Sequence, residues 1–588
     1  MLPRSRLGLR PLLLPSRLVA RQSLRLYSTP PTPSPSSSGV RTTAFLSVAL
    51  LASAYAVYQY EQQSSSSAES GGGSLLGITT KRPTFETRIR GSEGVETHTF
   101  VRKTEAEQEK MLTENESGER DLKRIGNPVT RWDTNWVGSN EPCEDRFKSN
   151  LIPREMGSEE ALARRKSQEG WFSWFSGGAT PPSTTGVAEG KNDLMLFSII
   201  DGHGGDATCR LLEKTLHPVV AVALAGLQAG FLPPTEGGWK KWGGYLSPWY
   251  WAGSGKVWTP DNVTSTLQNA FVQLDDSISL TPVRLIPTLS QPVSAKADPS
   301  APTPRQTFVA LAEPAAAGAC AVTALVDAEH DDLYVALVGD CRAVAGWQGP
   351  DGRWRCDVLT EDQMGENPKE IARVQSEHPA SERDTVIQRG RVQGGLQPTR
   401  AFGDAVYKWT IDQNKVISDA FKAEGVKPRA QRPWNFTPPY VSGKPEVTYR
   451  NLHTENGEKL KFLIMATDGL WDRITSEEAT LLLASYMAHP THNEIAKTSL
   501  PNIFPLVPPL PASERLYPAQ DLPQPPNETW VYEGDENAAT HLIRNSLAGG
   551  DKKARGELLS MHGEVTRWMR DDITVTVVFF DDEVKNAV

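Results

Sequence analysis

LFSIIDGHGGDATCRLL, residues Leu196 to Leu212, is where the fold and the chemistry meet. An apolar run of strand type, Leu194 to Ile200, halts at Asp201, and three glycines crowd the next four positions before a helical pattern begins. A simple turn needs one glycine. Three imply that something approaches the backbone closely.

Other apolar runs in the chain also meet acids. KFLIMAT is followed by Asp468, with Asp472 four residues on. DLYVALVG meets Asp340, and ITVTVVFF is preceded by Asp571 and Asp572. Glu144 and Asp145 follow a Pro-Cys in NEPCEDRF. Each Asp-Gly alone reads as a turn, because Asp bonds its own backbone and Gly tolerates positive φ. Together these acids describe an oxygen-rich site without Cys ligands, of the kind that takes Mg²⁺ or Mn²⁺ rather than zinc. Two such ions sharing an Asp would acidify a water held against phosphorus. The Gly202 carbonyl is a candidate ligand, Gly204 and Gly205 would leave room for water and phosphate, and His203 is placed to give a proton to a leaving oxygen.

Around these stretches, strand-like and helix-like segments alternate from about Pro128 onward. LMLFSII, DLYVALVGDCRAVAGW, LKFLIMATDGLWD and ITVTVVFF read as strands. ATCRLLEKTLHPVVAVAL and DNVTSTLQNAFVQLDDSI read as helices; in the latter Val263, Leu267, Phe271 and Leu274 share a face. Pro- and Gly-rich insertions are expected near 165–190, 230–260, 283–310 and 487–535. The segment 233–258 holds Trp239, Trp242, Trp249, Trp251 and Trp258. It is a candidate surface for a protein partner, or else a satellite cluster packed on the main body.

The chain has 588 residues and a net charge of −9, the wrong sign for a nucleic-acid partner. Its five cysteines, Cys143, Cys209, Cys320, Cys341 and Cys356, form no CxxC, which argues against a disulfide scaffold or a zinc site. No acid precedes Glu61, whereas seven arginines do. Residues 1–41 therefore read as a mitochondrial transit peptide, with RLYST at Arg25–Thr29 as a cleavage region. Thr42–Tyr60 is uncharged and about long enough to cross a bilayer, a candidate inner-membrane anchor. Its flanking charges, Arg41 and Glu61, leave open whether the domain faces the matrix or the intermembrane space. Residues 61–125 read as linker and leader, and 126–588 as the catalytic domain.

The ordered motifs resemble the metal-dependent serine/threonine protein phosphatases of type 2C. They are EDR (144–146), DGHGG (201–205), GACAVTALV (318–326), VGDCRAV (338–344), GGLQPTRAFGD (394–404), ATDGLWD (466–472) and RDDITV (570–575). The resemblance implies a four-layer α-β-β-α sandwich, two antiparallel sheets flanked by helices. It implies that Asp201 bridges two metal ions, with Glu144 and the Gly202 carbonyl completing one site and Asp468 and Asp571 the other. His203 would be the general acid, Asp340 and Asp472 would hold a weaker third metal, and Asp404 would be structural. The attacking group would be a metal-activated bridging water, and the substrate a phosphoprotein.

Asn140 stands where many members carry a phosphate-gripping arginine. That change, the RAFGD phrase followed by Tyr407–Trp409, and TEDQMGENPKEIARVQSEHP (360–379) resemble the pyruvate dehydrogenase phosphatase branch. That branch is mitochondrial, which agrees with the N-terminal reading. A phosphate-binding nucleotide enzyme fits poorly: GSGKV at Gly253 lacks the P-loop spacing, and HRD and DFG are missing. The other reading to hold is a catalytically inactive, membrane-tethered scaffold or sensor of the same fold.

Overall fold

The computed structural model describes residues 82–91, 94–139, 141–153, 188–232, 250–251, 257–290, 301–488, 491–507 and 528–580. The proposed transit peptide and membrane anchor lie outside them, as do Asn140 and most of the tryptophan-rich segment. Among the described residues no helix is long and apolar enough to cross a membrane.

The sheet strands, in chain order, are β1 (Ser117–Glu119), β2 (Val129–Val137), β3 (Arg146–Ile152), β4 (Leu194–His203), β5 (Gly318–Asp327), β6 (Asp332–Val338), β7 (Arg342–Gln348), β8 (Trp354–Val358), β9 (Phe402–Gly403), β10 (Glu446–Asn451), β11 (Lys459–Ala466) and β12 (Ile573–Phe580). The first sheet runs β10-β6-β5-β4-β3, with β9 paired to β5; the second runs β8-β7-β11-β12-β2-β1. Every pairing in both is antiparallel.

Side-chain alternation explains why these strands read as unbroken apolar runs. On β4, Met195, Phe197 and Ile199 point between the sheets, where they meet Val322, Val335, Ala345, Leu463 and Val578. Leu194, Leu196 and Ile200 point the other way, onto α2 (Ala207–Gln228), α3 (Pro260–Leu285) and α4 (Pro304–Ala316). The second sheet is covered on its outer face by α1 (Glu105–Thr113), α5 (Ser476–Ala488), α6 (Ala538–Ser546) and α7 (Lys552–Ser560). The result is the expected α-β-β-α sandwich of two antiparallel sheets.

Several local expectations change. β4 does not end at Asp201: it stays paired with β5 through Gly202 and His203. The run DLYVALVGDCRAVAGW is two strands in different sheets, β6 and β7, and Gly339, Asp340 and Cys341 make the crossing. The expected leader, 61–125, is folded from Thr84 on. Thr84–Gly91 and Gly94–Val101 form a hairpin, α1 starts in a capping box of Thr104 and Glu107, and β1 joins the second sheet. Within the expected 487–535 insertion, Thr491–Ala496 pairs with Thr529–Glu533, and Trp530 is in the core. The described end of the tryptophan segment packs on the body: Trp258 donates Nε1–H to Asp327 at 2.8 Å and stacks on His330.

One buried cation fastens the N-terminal elements. Arg544 on α6 is 1% exposed and donates to Glu109 of α1, Glu533 and Asp535. Burial alone would lower its pKa; these carboxylates outweigh that and raise it. Arg544→Met is expected to cost about 3–5 kcal/mol of stability, because it strands carboxylates around a buried site. Glu109, half exposed, should cost about 1 kcal/mol or less when changed to Ala. Urea unfolding midpoints of the two variants measure the difference, and equal losses would refute this account.

Candidate active site

The ends of β4, β6 and β11 deliver three acids to one place. Asp201, Asp340 and the Asp468 that follows β11 have carboxylate oxygens all within 4.8 Å of one another, and all three are buried. At that spacing, and at an effective dielectric of about 20, each pair of like charges repels by about 3.5 kcal/mol or more. Three carboxylates cannot stay ionised and buried together without cations. Oxygen-only donors select hard divalent ions. The residues therefore fit the metal that the sequence points to.

Glu144 is fixed from four directions. Its backbone N–H donates to Asp572 Oδ2 at 2.9 Å, and its carbonyl accepts from the Cys209 thiol at 2.6 Å. Oε1 accepts from the Gly205 N–H at 2.7 Å, and Oε2 accepts from Arg567 Nη2 at 3.0 Å. Gly202 makes this possible: a Cβ there would collide with the Glu144 carbonyl. Gly204, expected to leave room for water and phosphate, leaves room instead for the Arg429 guanidinium, which fills the space a Cβ would need.

The second acid of Asp571-Asp572 is structural. Asp572 is buried and accepts from Ser139 Oγ at 2.9 Å as well as from the Glu144 N–H, so it ties both residues to the start of β12. Asp571 accepts from the Asp572 N–H and lies in the charge field of Asp145, Arg473 and Arg570. Asp145 accepts from Thr574 Oγ1, and burial, then the Asp572 charge, pushes its carboxyl well up. Asp340 sits with Asp201 and Asp468 in the central cluster, whereas Asp472 ends the short helix Asp468–Trp471, close enough to Arg473 and Arg342 to act on their charge.

His203 is 6% exposed, and its Nε2 lies 2.6 Å from Asp404 Oδ2. Burial alone would raise the Asp404 carboxyl; the charges of His203 and Arg429 overcome it and hold it well below the usual range. Arg429 donates to Asp404 Oδ1 and to the His203 carbonyl. With Nε2 turned to Asp404, any proton His203 hands to a reacting group leaves from Nδ1. Asp404 thus has a role the sequence did not show, as the partner that orients the imidazole.

All four cysteines nearest the acids are buried. Desolvation pushes the thiols of Cys209, Cys320 and Cys341 well up, which makes them poor nucleophiles. Gly318 lies over the His203–Asp404 pair, and a Cβ there would overlap His203 Nε2 and Asp404 Oδ2. Gly318→Ala is expected to break that pair and lower the thermal midpoint by several degrees, as about 1–3 kcal/mol of overpacking would. An unchanged melting curve would show that the pair yields without cost.

Comparison with known proteins agrees with this geometry. A family model described as protein phosphatase 2C matches residues 274–500. A protein phosphatase 2C homolog of Schizosaccharomyces pombe is 30% identical over 464 residues, covering 77% of this chain and 81% of the relative. The human protein named pyruvate dehydrogenase (acetyl-transferring) phosphatase 2, mitochondrial, is 31% identical over 482 residues, covering 78% and 79%. A Saccharomyces cerevisiae protein named as phosphatase 1 of the same kind is 30% identical over 470 residues, covering 78% and 70%. With an acid cluster built for hard cations on a sandwich of this architecture, and relatives that align along most of both chains, this chain belongs to the protein phosphatase 2C family and is a protein serine/threonine phosphatase.

Proposed function

We propose that the chain removes phosphate from phosphoserine and phosphothreonine in mitochondrial proteins, with pyruvate dehydrogenase E1α as the leading substrate, in a reaction that needs Mg²⁺ or Mn²⁺. The observation that carries the metal dependence is the convergence of Asp201, Asp340 and Asp468 within 4.8 Å in a buried setting. Asp201, Glu144, the Gly202 carbonyl, Asp468 and Asp571 would hold two ions, and Asp340 and Asp472 a weaker third. Bound there, such ions would supply an acidified water and neutralise phosphate charge. The named relatives and the Arg-rich, acid-free N-terminus support the mitochondrial reading.

The protein's own residues do the rest. Cys209, Gly205 and Asp572 hold Glu144 in one pose, so little reorganisation is needed when an ion arrives. Asp404 and Arg429 hold the His203 ring, so that Nδ1 can give its proton to the departing seryl or threonyl oxygen.

EDTA should abolish hydrolysis of p-nitrophenyl phosphate, and added Mn²⁺ should restore it. Asp201→Asn should lower the metal-dependent rate by about 100-fold or more, since the metal pair supplies several kcal/mol. Metal-independent turnover would reject the mechanism. Asp404→Asn should slow a phosphothreonine peptide by about 100-fold, the low end for general acid catalysis. It should leave p-nitrophenyl phosphate nearly untouched, because nitrophenolate departs without a proton. Equal losses on both substrates would remove His203 from the acid role. The substrate reading is checked by phosphate release from phosphorylated E1α against an unrelated phosphoprotein; no preference would withdraw it.

A further inference from the structure

An acid-lined pocket repels a phosphate dianion, and bound ions offset only part of that charge. A cation at the mouth is needed as well. Several arginines surround the acids, and most are already engaged. Arg429 is taken up by Asp404 and the His203 carbonyl. Arg146 donates to the Cys143 and Asp145 carbonyls and pairs with Asp206. Arg473 donates to the Met569 carbonyl. Arg570 is buried and donates to the Leu558 carbonyl.

Arg567, like Arg473 and Arg570, makes a single side-chain hydrogen bond among the described residues, but it makes it to an acid of the site rather than to a backbone carbonyl. It sits on the short helix Thr566–Met569, just before Asp571 and β12, with its side chain 21% exposed. Its one hydrogen bond among the described residues runs from Nη2 to Glu144 Oε2 at 3.0 Å. Glu144 is the acid whose other oxygen is already claimed by Gly205. A guanidinium held by one bond, at the edge of the acids and open to solvent, has a donor fork left for an anion.

We propose that Arg567 is a phosphate-binding residue of this site, parked on Glu144 in the absence of substrate and turning its fork to the phosphoryl oxygens when substrate enters. The proposal rests on the metal-dependent reading above: an ion taking up Glu144 weakens the arginine's hold there and frees it. In chemical terms Arg567 recognises a phosphate monoester dianion, whichever side chain carries it.

The test is calorimetric titration of the Mn²⁺-loaded full chain with inorganic phosphate, alongside titration of the metal-free chain with Mn²⁺ and steady-state kinetics on p-nitrophenyl phosphate. Arg567→Ala should weaken phosphate binding by about tenfold or more, one charge-assisted hydrogen bond. KM should rise by a similar factor with kcat little changed, while Mn²⁺ binding stays as tight or becomes tighter. Arg567→Lys should recover part of the phosphate affinity through its charge. If Ala lowers the melting temperature, Arg567→Gln, which removes the charge but keeps a polar side chain of intermediate length, carries the same expectation. Unchanged phosphate affinity with weaker Mn²⁺ binding would overturn the proposal and make Arg567 a holder of Glu144. A wild-type chain that binds no Mn²⁺ would instead sink the metal-dependent reading itself, and the proposal with it.

Discussion

Mutual repulsion among Asp201, Asp340 and Asp468 is the constraint around which the molecule is organised. Three buried carboxylates within 4.8 Å destabilise the fold unless something positive lies between them. The sandwich accepts that cost because it has cohesion to spare: strands buried on both faces form one core between the sheets and two more beneath the helices. The acids sit where strands leave those cores. Asp201 lies within β4, Asp340 in the crossing from β6 to β7, and Asp468 beyond the end of β11. Two sheets must therefore pack in register for one site to exist, and any cation held by the three acids would depend on that packing.

Around the acids the protein keeps polar groups in fixed arrangements rather than leaving them to water. Asp572 bonds the loop that carries Glu144, Cys209 caps the Glu144 carbonyl, and Asp404 with Arg429 holds His203. Each partner comes from a distant part of the chain. Glycines at 202, 204 and 318 are the steric condition for this arrangement, since a single Cβ at any of them would occupy the place of a partner atom. Their demand is for space at a contact as much as for backbone freedom.

Much of the fold was legible in the sequence, because a strand buried on both faces leaves a long apolar run, as Leu194–Ile200 and Ile573–Phe580 do. The acids were legible too, since they interrupt such runs at Asp201, Asp340 and Asp468. What stayed hidden was contact between residues far apart in the chain. His203 and Asp404 are separated by 201 positions and Glu144 and Arg567 by 423, and no local pattern encodes such pairs. Asp571-Asp572 looked alike in sequence, yet their surroundings give Asp572 a tethering role. The folded N-terminal boundary lies earlier than expected for a different reason. The capping box Thr104–Glu107, inside the stretch expected as linker and leader, is a helix-start signal that the sequence does carry.

The packing of α1 sets how much of the N-terminal stretch the domain needs. A cut just before Thr84 costs the exposed Arg82–Glu107 pair and the Pro83 carbonyl that accepts from the Arg102 N–H. A cut beyond α1 would instead withdraw Leu112 from the second sheet's core and take a counter-charge from Arg544, which the remaining chain holds away from water. A chain that keeps this core complete therefore begins upstream of Thr104.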